Sequence, residues 1–182
     1  MVVELRFREL RAEDVECRVG TVAKNGSGLS LLLYKTSRTD SDILDETVGP
    51  ENWQCRFYEQ KGTLFCSLGI RVKRDDGSFE WVWKDDAGSP SNMEAQKGEA
   101  SDCRKRAGFA WGIGRELYES PFIWIPSDKC NIKQLGNKYT CYDRFKVAKM
   151  AVSEDETGKR RISGIRIVEE RTGRIVYSWK ES

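Results

Sequence analysis

Apolar positions along this chain switch between two rhythms, and the switches mark its elements. Residues 15–23 are extended and residues 29–34 run apolar. Between them Asn25-Gly26-Ser27-Gly28 predicts a hairpin turn. Ahead of the hairpin, Phe7, Leu10 and Val15 suggest a short helix or turn. From residue 37 to 48 the spacing becomes helical, with Ile43, Leu44, Thr47 and Val48 inward and Gly49-Pro50 as the stop. Strand-like segments return at 53–59, 63–73 and 79–84, separated by turns at Gly62 and Asp75-Asp76-Gly77. On the third of these, Phe79, Trp81 and Trp83 alternate, so three rings share one face, and such a stripe is expected to be core. A loop at 86–92 leads into a second helix, 93–118. Pro121 and Pro126 then bracket an apolar piece, 122–125, that has no obvious intrachain partner. The rest reads as a loop and three strands, at 142–152, 161–169 and 174–179, with turns at Glu156-Thr157-Gly158 and Arg171-Thr172-Gly173.

This order predicts an α+β fold, in which an antiparallel β-sheet carries one long packed helix and is followed by additional C-terminal strands. Residues 1–128 form the core in this reading, and 129–182 are a basic β-rich extension packed on the same domain.

The second helix carries the most chemistry. Ala100, Cys103, Ala107, Ala110, Trp111 and Gly114 fall at three- and four-residue spacings and make a small-residue stripe suited to close packing on a sheet. Lys97, Ser101, Arg104, Lys105 and Gly108 lie on the other side, with Arg106 on the shoulder. Such a helix holds charge toward something anionic, although basic runs more often only solvate a helix face.

Composition narrows the chemistry further. The 182 residues contain no histidine, which removes the usual general base and the Ser-His and Cys-His nucleophile pairs. Six cysteines are scattered singly, so structural zinc is not expected, and buried thiols in a reducing compartment are. No apolar run is long enough to span a membrane, and the N-terminus has no signal-like apolar stretch, so a cytoplasmic location is expected. Residues 1–128 hold 18 Lys/Arg against 22 Asp/Glu, whereas 129–182 hold 13 against 7. Between 129 and 149, six cations face one acid, Asp143, with Tyr139, Tyr142 and Phe145 interleaved, a mixture suited to a nucleic-acid strand.

Several segments together resemble a known family. They are Glu16-Cys17-Arg18-Val19, Tyr34, the run from Leu44 to Trp53 (LDETVGPENW), Gly69-Ile70-Arg71-Val72, Asp75-Asp76-Gly77-Ser78, Lys97-Gly98-Glu99-Ala100-Ser101-Asp102, Lys105-Arg106-Ala107 and Gly112. In this order, over roughly residues 10–118, the chain resembles the Rad-fifty-two superfamily of single-strand annealing proteins, especially the compact phage and prophage members. The resemblance implies a β-β-β-α core, a homo-oligomer in the form of a ring or helical filament, and single-stranded DNA held in a basic groove with its bases outward. It also implies work in recombination and repair in a bacterial host cell, with a phage exonuclease or a single-strand-binding protein as further candidate partners.

Arg18, Lys105 and Arg106 match the family's groove-lining residues, with Tyr34 close by. Lys97 and Arg104 complete the candidate DNA-binding set. Phe109 stands where eukaryotic relatives carry a cation, and Asp75 and Asp86 stand where they carry cations of an outer DNA site. Annealing breaks no bond, so no catalytic residue, metal or cofactor is expected. The alternatives are a metal-dependent nuclease built on Asp75, Asp76, Asp85, Asp86 and Glu94, and a passive single-strand coating protein.

Overall fold

A computed structural model describes residues 5–89 and 95–181, with side chains of the second helix described from residue 98 onward. Within them the chain is mixed α and β with antiparallel sheets. It groups into two compact units, one of residues 1–8 and 36–114, the other of residues 9–35 and 115–182.

The first unit begins with helix α1, Ser37–Val48, which has the bounds expected from sequence. Thr36 caps it by accepting the Thr39 N–H at 3.1 Å. Gly49 ends it at φ +87°, a conformation that glycine reaches without strain. Strands β3 (Trp53–Gln60), β4 (Thr63–Lys73) and β5 (Phe79–Ala87) follow as an antiparallel meander. Strand β5 runs three residues past its expected end and stays paired with β4 as far as Ala87 opposite Phe65. Cys66, Leu68 and Ile70 alternate along β4 and are fully buried on the side packed by helix α2, Ala95–Trp111.

Helix α2 stops at Trp111 and does not continue to 118. Gly112 at φ +100° and Gly114 at φ +77° turn the chain out of the helix, and a separate 3-10 turn occupies Arg115–Glu119. The Lys84 ammonium seals the helix end by donating to the Ala110 carbonyl at 3.0 Å, where the helix dipole favours a cation. Trp111 adds a bond from Nε1 to the Leu68 carbonyl at 2.9 Å. Cys103 and Ala107 are fully buried, as the small-residue stripe required. The rings of Phe79, Trp81 and Trp83 are not core: Phe79 is 54% exposed and both indoles are only half-buried. Helix α2 covers the opposite face of the meander, so the alternation had placed the rings together correctly but on the open side.

The second unit is built on a six-stranded antiparallel sheet in the order β11-β10-β9-β1-β2-β6. Its strands are β1 (Val15–Val22), β2 (Gly28–Lys35), β6 (Ile123–Pro126), β9 (Phe145–Glu154), β10 (Arg160–Glu169) and β11 (Ile175–Lys180). The N-terminal hairpin therefore pairs with C-terminal strands, and the single sheet expected from sequence is replaced by several. The piece 122–125 has an intrachain partner after all. It forms β6 beside β2 with Ile123 and Ile125 buried, and Trp124 lies across Gly28, where an added Cβ would come within 2.5 Å of the indole. A second hairpin, β7 (Ile132–Leu135) with β8 (Lys138–Cys141), fills what read as a loop. Leu29, Leu31, Phe145, Ile162, Ile165, Ile167 and Val176 are buried in this unit.

Candidate nucleic-acid interface

The three consecutive cations of α2, Arg104, Lys105 and Arg106, point three ways, because successive helical residues are turned about 100° apart. Arg104 turns toward α1. Its guanidinium bonds the Ser41 hydroxyl and stands over the Trp53 ring at 5.2 Å, while its buried Nε finds no partner. The helix face expected to look outward is thus partly covered by α1, and Gly108 on it is buried. Lys105 is mostly covered, with 15% of its side chain exposed and its Nζ 3.9 Å from Asp102. Arg106 is the exposed member at 46%, and its Nε meets Asp86 at 3.1 Å. Lys97 lies in the helix, but its side chain falls outside the described residues.

Arg18 and Tyr34 belong to the other unit. The β1–β2 register pairs Glu16 with Tyr34 and Arg18 with Leu32, so the three polar side chains share one face of the hairpin. The Arg18 guanidinium stands 5.0 Å above the Tyr34 ring and 3.1 Å from the Glu16 carboxylate, and 60% of the side chain is exposed. A cation stacked in this way keeps its outward N–H groups available for a phosphate.

The basic stretch 129–149 divides by role. Phe145 is core and Tyr139 lies against Gly26, where an added Cβ would come within 2.7 Å of the ring. Tyr142 alone of the three rings stands open, at 70% exposure, on a cleft it shares with Lys133 and Arg144. Sequence spacing gave no sign that these rings would separate: strands β8 and β9 place Tyr139 and Phe145, whereas Tyr142 lies between the two strands.

Of the acidic residues considered for a nuclease, Asp76, Asp85 and Asp86 are occupied separately. Asp76 accepts the Ser78 N–H and hydroxyl, which hold its carboxyl below the usual range. Asp85 accepts the Tyr58 hydroxyl at 3.0 Å, and Asp86, its neighbour on β5, projects to the opposite face toward Arg106. Glu94 lies outside the described residues. Among the described residues no group of three or more His, Cys, Asp or Glu could hold a metal ion, and no helix is long and apolar enough to cross a membrane.

The cysteines are free thiols, and two of them meet. Cys55 and Cys66 place their sulfurs 3.0 Å apart. Their shared hydrogen bond and the nearby Arg104 guanidinium hold Cys55 below its ordinary value, while the same bond and burial push Cys66 up. Burial and the charge of Glu170 raise Cys17, on β1, to about 12.

Sequence reasoning passed over two cations, Arg56 and Arg71. Arg56 stands 4.1 Å over the Trp83 ring and Arg71 4.3 Å over Phe79. The signal lay in alternation on three neighbouring strands, which becomes visible only once their register is known.

Comparison with known proteins bears on which ligand these cations serve. The chain is similar to the single-stranded DNA-binding protein DdrA of Deinococcus deserti, with 29% identity over 114 residues, which are 63% of this chain and 55% of that protein. The match thus spans about half the length of that relative. No family model matches the chain. No solved structure matches it either.

Proposed function

We propose that this protein binds single-stranded DNA and speeds the pairing of complementary strands, working as a homo-oligomeric ring or filament. The observation that carries the reading is the similarity to a protein named for single-stranded DNA binding. The order β3-β4-β5-α2 in the first unit is compatible with the β-β-β-α core that the Rad-fifty-two resemblance implies, and it supports the annealing step. Each unit contributes cations suited to phosphate: Arg18 on its open strand face, and Arg106 with Lys105 on α2. Arg18 and Arg106 each stand within 4 Å of a carboxylate at the surface, a weak pairing that a phosphate can replace. Gripping the backbone leaves base edges open to test a second strand, which is what annealing requires. One subunit offers few phosphate contacts, and affinity accumulates when they repeat across many subunits, hence the oligomer.

The test combines two titrations. Anisotropy of a labelled oligothymidylate across a salt series measures binding. Dye-paired complementary strands measure annealing, with a magnesium arm read on a gel for cleavage. Faster pairing without cleavage is the expected result. Binding without faster pairing makes the protein a coating protein, cleavage makes it a nuclease, and no binding refutes the reading outright. Light scattering with and without DNA is expected to report a large homo-oligomer; a monomer under both conditions removes the assembly.

A further inference from the structure

The face of the β3–β4–β5 sheet opposite α2 carries an aromatic and cationic surface that the proposed function does not use. Register pairs Arg56 with Ser67, Gly69 with Trp83, Arg71 with Trp81 and Lys73 with Phe79, so these side chains share that face. Trp81 and Trp83 stack at 5.9 Å, and Tyr58 and Phe65 at 5.4 Å with planes 12° apart. Gly69 makes room for the first pair, since an added Cβ there would lie 2.7 Å from the Trp83 ring. Arg56 stands over that indole at 4.1 Å, and Arg71 over Phe79 at 4.3 Å. Phe79 is 54% and Tyr58 40% exposed, and Arg56, Arg71 and Lys73 are exposed as well.

Charge says what such a face meets. Arg56, Arg71 and Lys73 share it with one acid, Asp85, which accepts the Tyr58 hydroxyl. A second copy docking the same face to itself would set cations against cations. A nucleic-acid strand offers the opposite charge together with flat π-faces, and base–ring stacking tolerates any sequence. At the edge of the face, Arg71, Lys73 and Phe79 also line a cleft of about 380 Å³ with Arg6 and Asn52, which continues the basic path.

We infer that this sheet face is a further single-strand contact, one that takes bases by stacking on Phe79, Trp81 and Tyr58 while Arg56, Arg71 and Lys73 meet the backbone. It rests on the single-strand reading above and differs in kind from Arg18, Lys105 and Arg106, which grip phosphate. Two probes separate the modes: a labelled oligothymidylate, and an abasic deoxyribose-phosphate chain of equal length. The double variant Phe79→Leu with Trp81→Leu is expected to bind oligothymidylate at least about tenfold more weakly. Its affinity for the abasic chain and its salt slope are expected to stay as in the wild type. Circular dichroism and Tm check its fold, and Phe79→Ala alone, at an exposed position, is expected to shift affinity in the same direction.

Wild-type tryptophan fluorescence is expected to be quenched by oligothymidylate at high salt, where phosphate contacts are weak. If the wild type binds neither probe, the single-strand reading fails and this contact with it. If it binds and the variants match it on both probes, the stacking face is refuted while the function stands. Loss of oligomers with per-subunit DNA affinity intact makes the face a subunit contact and overturns the inference.

Discussion

Replacing Arg18 with alanine isolates one proposed phosphate contact. Its guanidinium is held by the Tyr34 ring at 5.0 Å and by Glu16 at 3.1 Å, with both charged side chains half exposed or more. A phosphate competes with Glu16 for the guanidinium, and an exposed pair of this kind is worth about 0.2–1 kcal/mol. Each phosphate contact on a single strand contributes about 0.7 to the slope of log affinity against log salt, so Arg18→Ala is expected to flatten the slope by about that amount. Between about 50 and about 200 mM salt, the advantage of the wild type then shrinks by about 2.6-fold. Glu16→Gln acts in the opposite sense. It removes the competing carboxylate and is expected to tighten binding by up to about fivefold at low salt, the upper limit of the pair's energy. Both effects are read by anisotropy of a labelled oligothymidylate, with circular dichroism confirming the fold. An unchanged slope in Arg18→Ala, together with unchanged affinity in Glu16→Gln, would take this strand out of the DNA path.

Arg104 and Arg106, two residues apart, are expected to part company. Arg104→Ala removes the bond to Ser41 and the stack on Trp53, lowering Tm through a cost of about 1–3 kcal/mol. Arg106→Ala leaves Tm nearly unchanged and flattens the salt slope; thermal melts showing the reverse order refute this assignment. Ala107→Leu forces a larger side chain into a fully buried site on the packed side of α2, and is expected to cost about 1–3 kcal/mol by denaturant titration. The Thr172 hydroxyl and the Arg171 and Thr172 N–H groups hold the Glu169 carboxyl below its ordinary 4.5, so its stabilisation is present above that pH and lost as pH falls through the lower folded value. Glu169→Gln is therefore expected to lower Tm at neutral pH, with the gap to wild type closing below pH 4.5; a gap that widens on acidification refutes it. Limiting iodoacetamide followed by peptide mass spectrometry is expected to find Cys55 alkylated before Cys103 and Cys130, whose burial raises each to about 11; equal labelling refutes the effect of Cys66 and Arg104 on Cys55.

Features set by near neighbours were legible in the sequence alone. The bounds of α1 follow from the helical spacing that begins at Ser37 and from Gly49-Pro50 at its end, because spacing and a positive-φ glycine act within a few residues. The β3–β4–β5 meander and its turns follow in the same way, as does the burial of Cys103 and Ala107 on the stripe of α2. What needed the tertiary structure depends on residues far apart in the chain. Alternation placed Phe79, Trp81 and Trp83 on one face, but only the position of α2 decided that this face is the open one. Nothing local to residues 15–35 says that their hairpin joins strands beyond residue 122, since a strand's edges accept any partner of matching register and burial. The short β6 strand and the β7–β8 hairpin escaped detection for the same reason: four residues carry too little periodicity to stand out until a neighbour pairs with them. The run Arg104-Lys105-Arg106 shows the division most sharply. Sequence supplied three adjacent charges; in the fold Arg104 turns toward α1, Lys105 is mostly covered and Arg106 is the most exposed of the three.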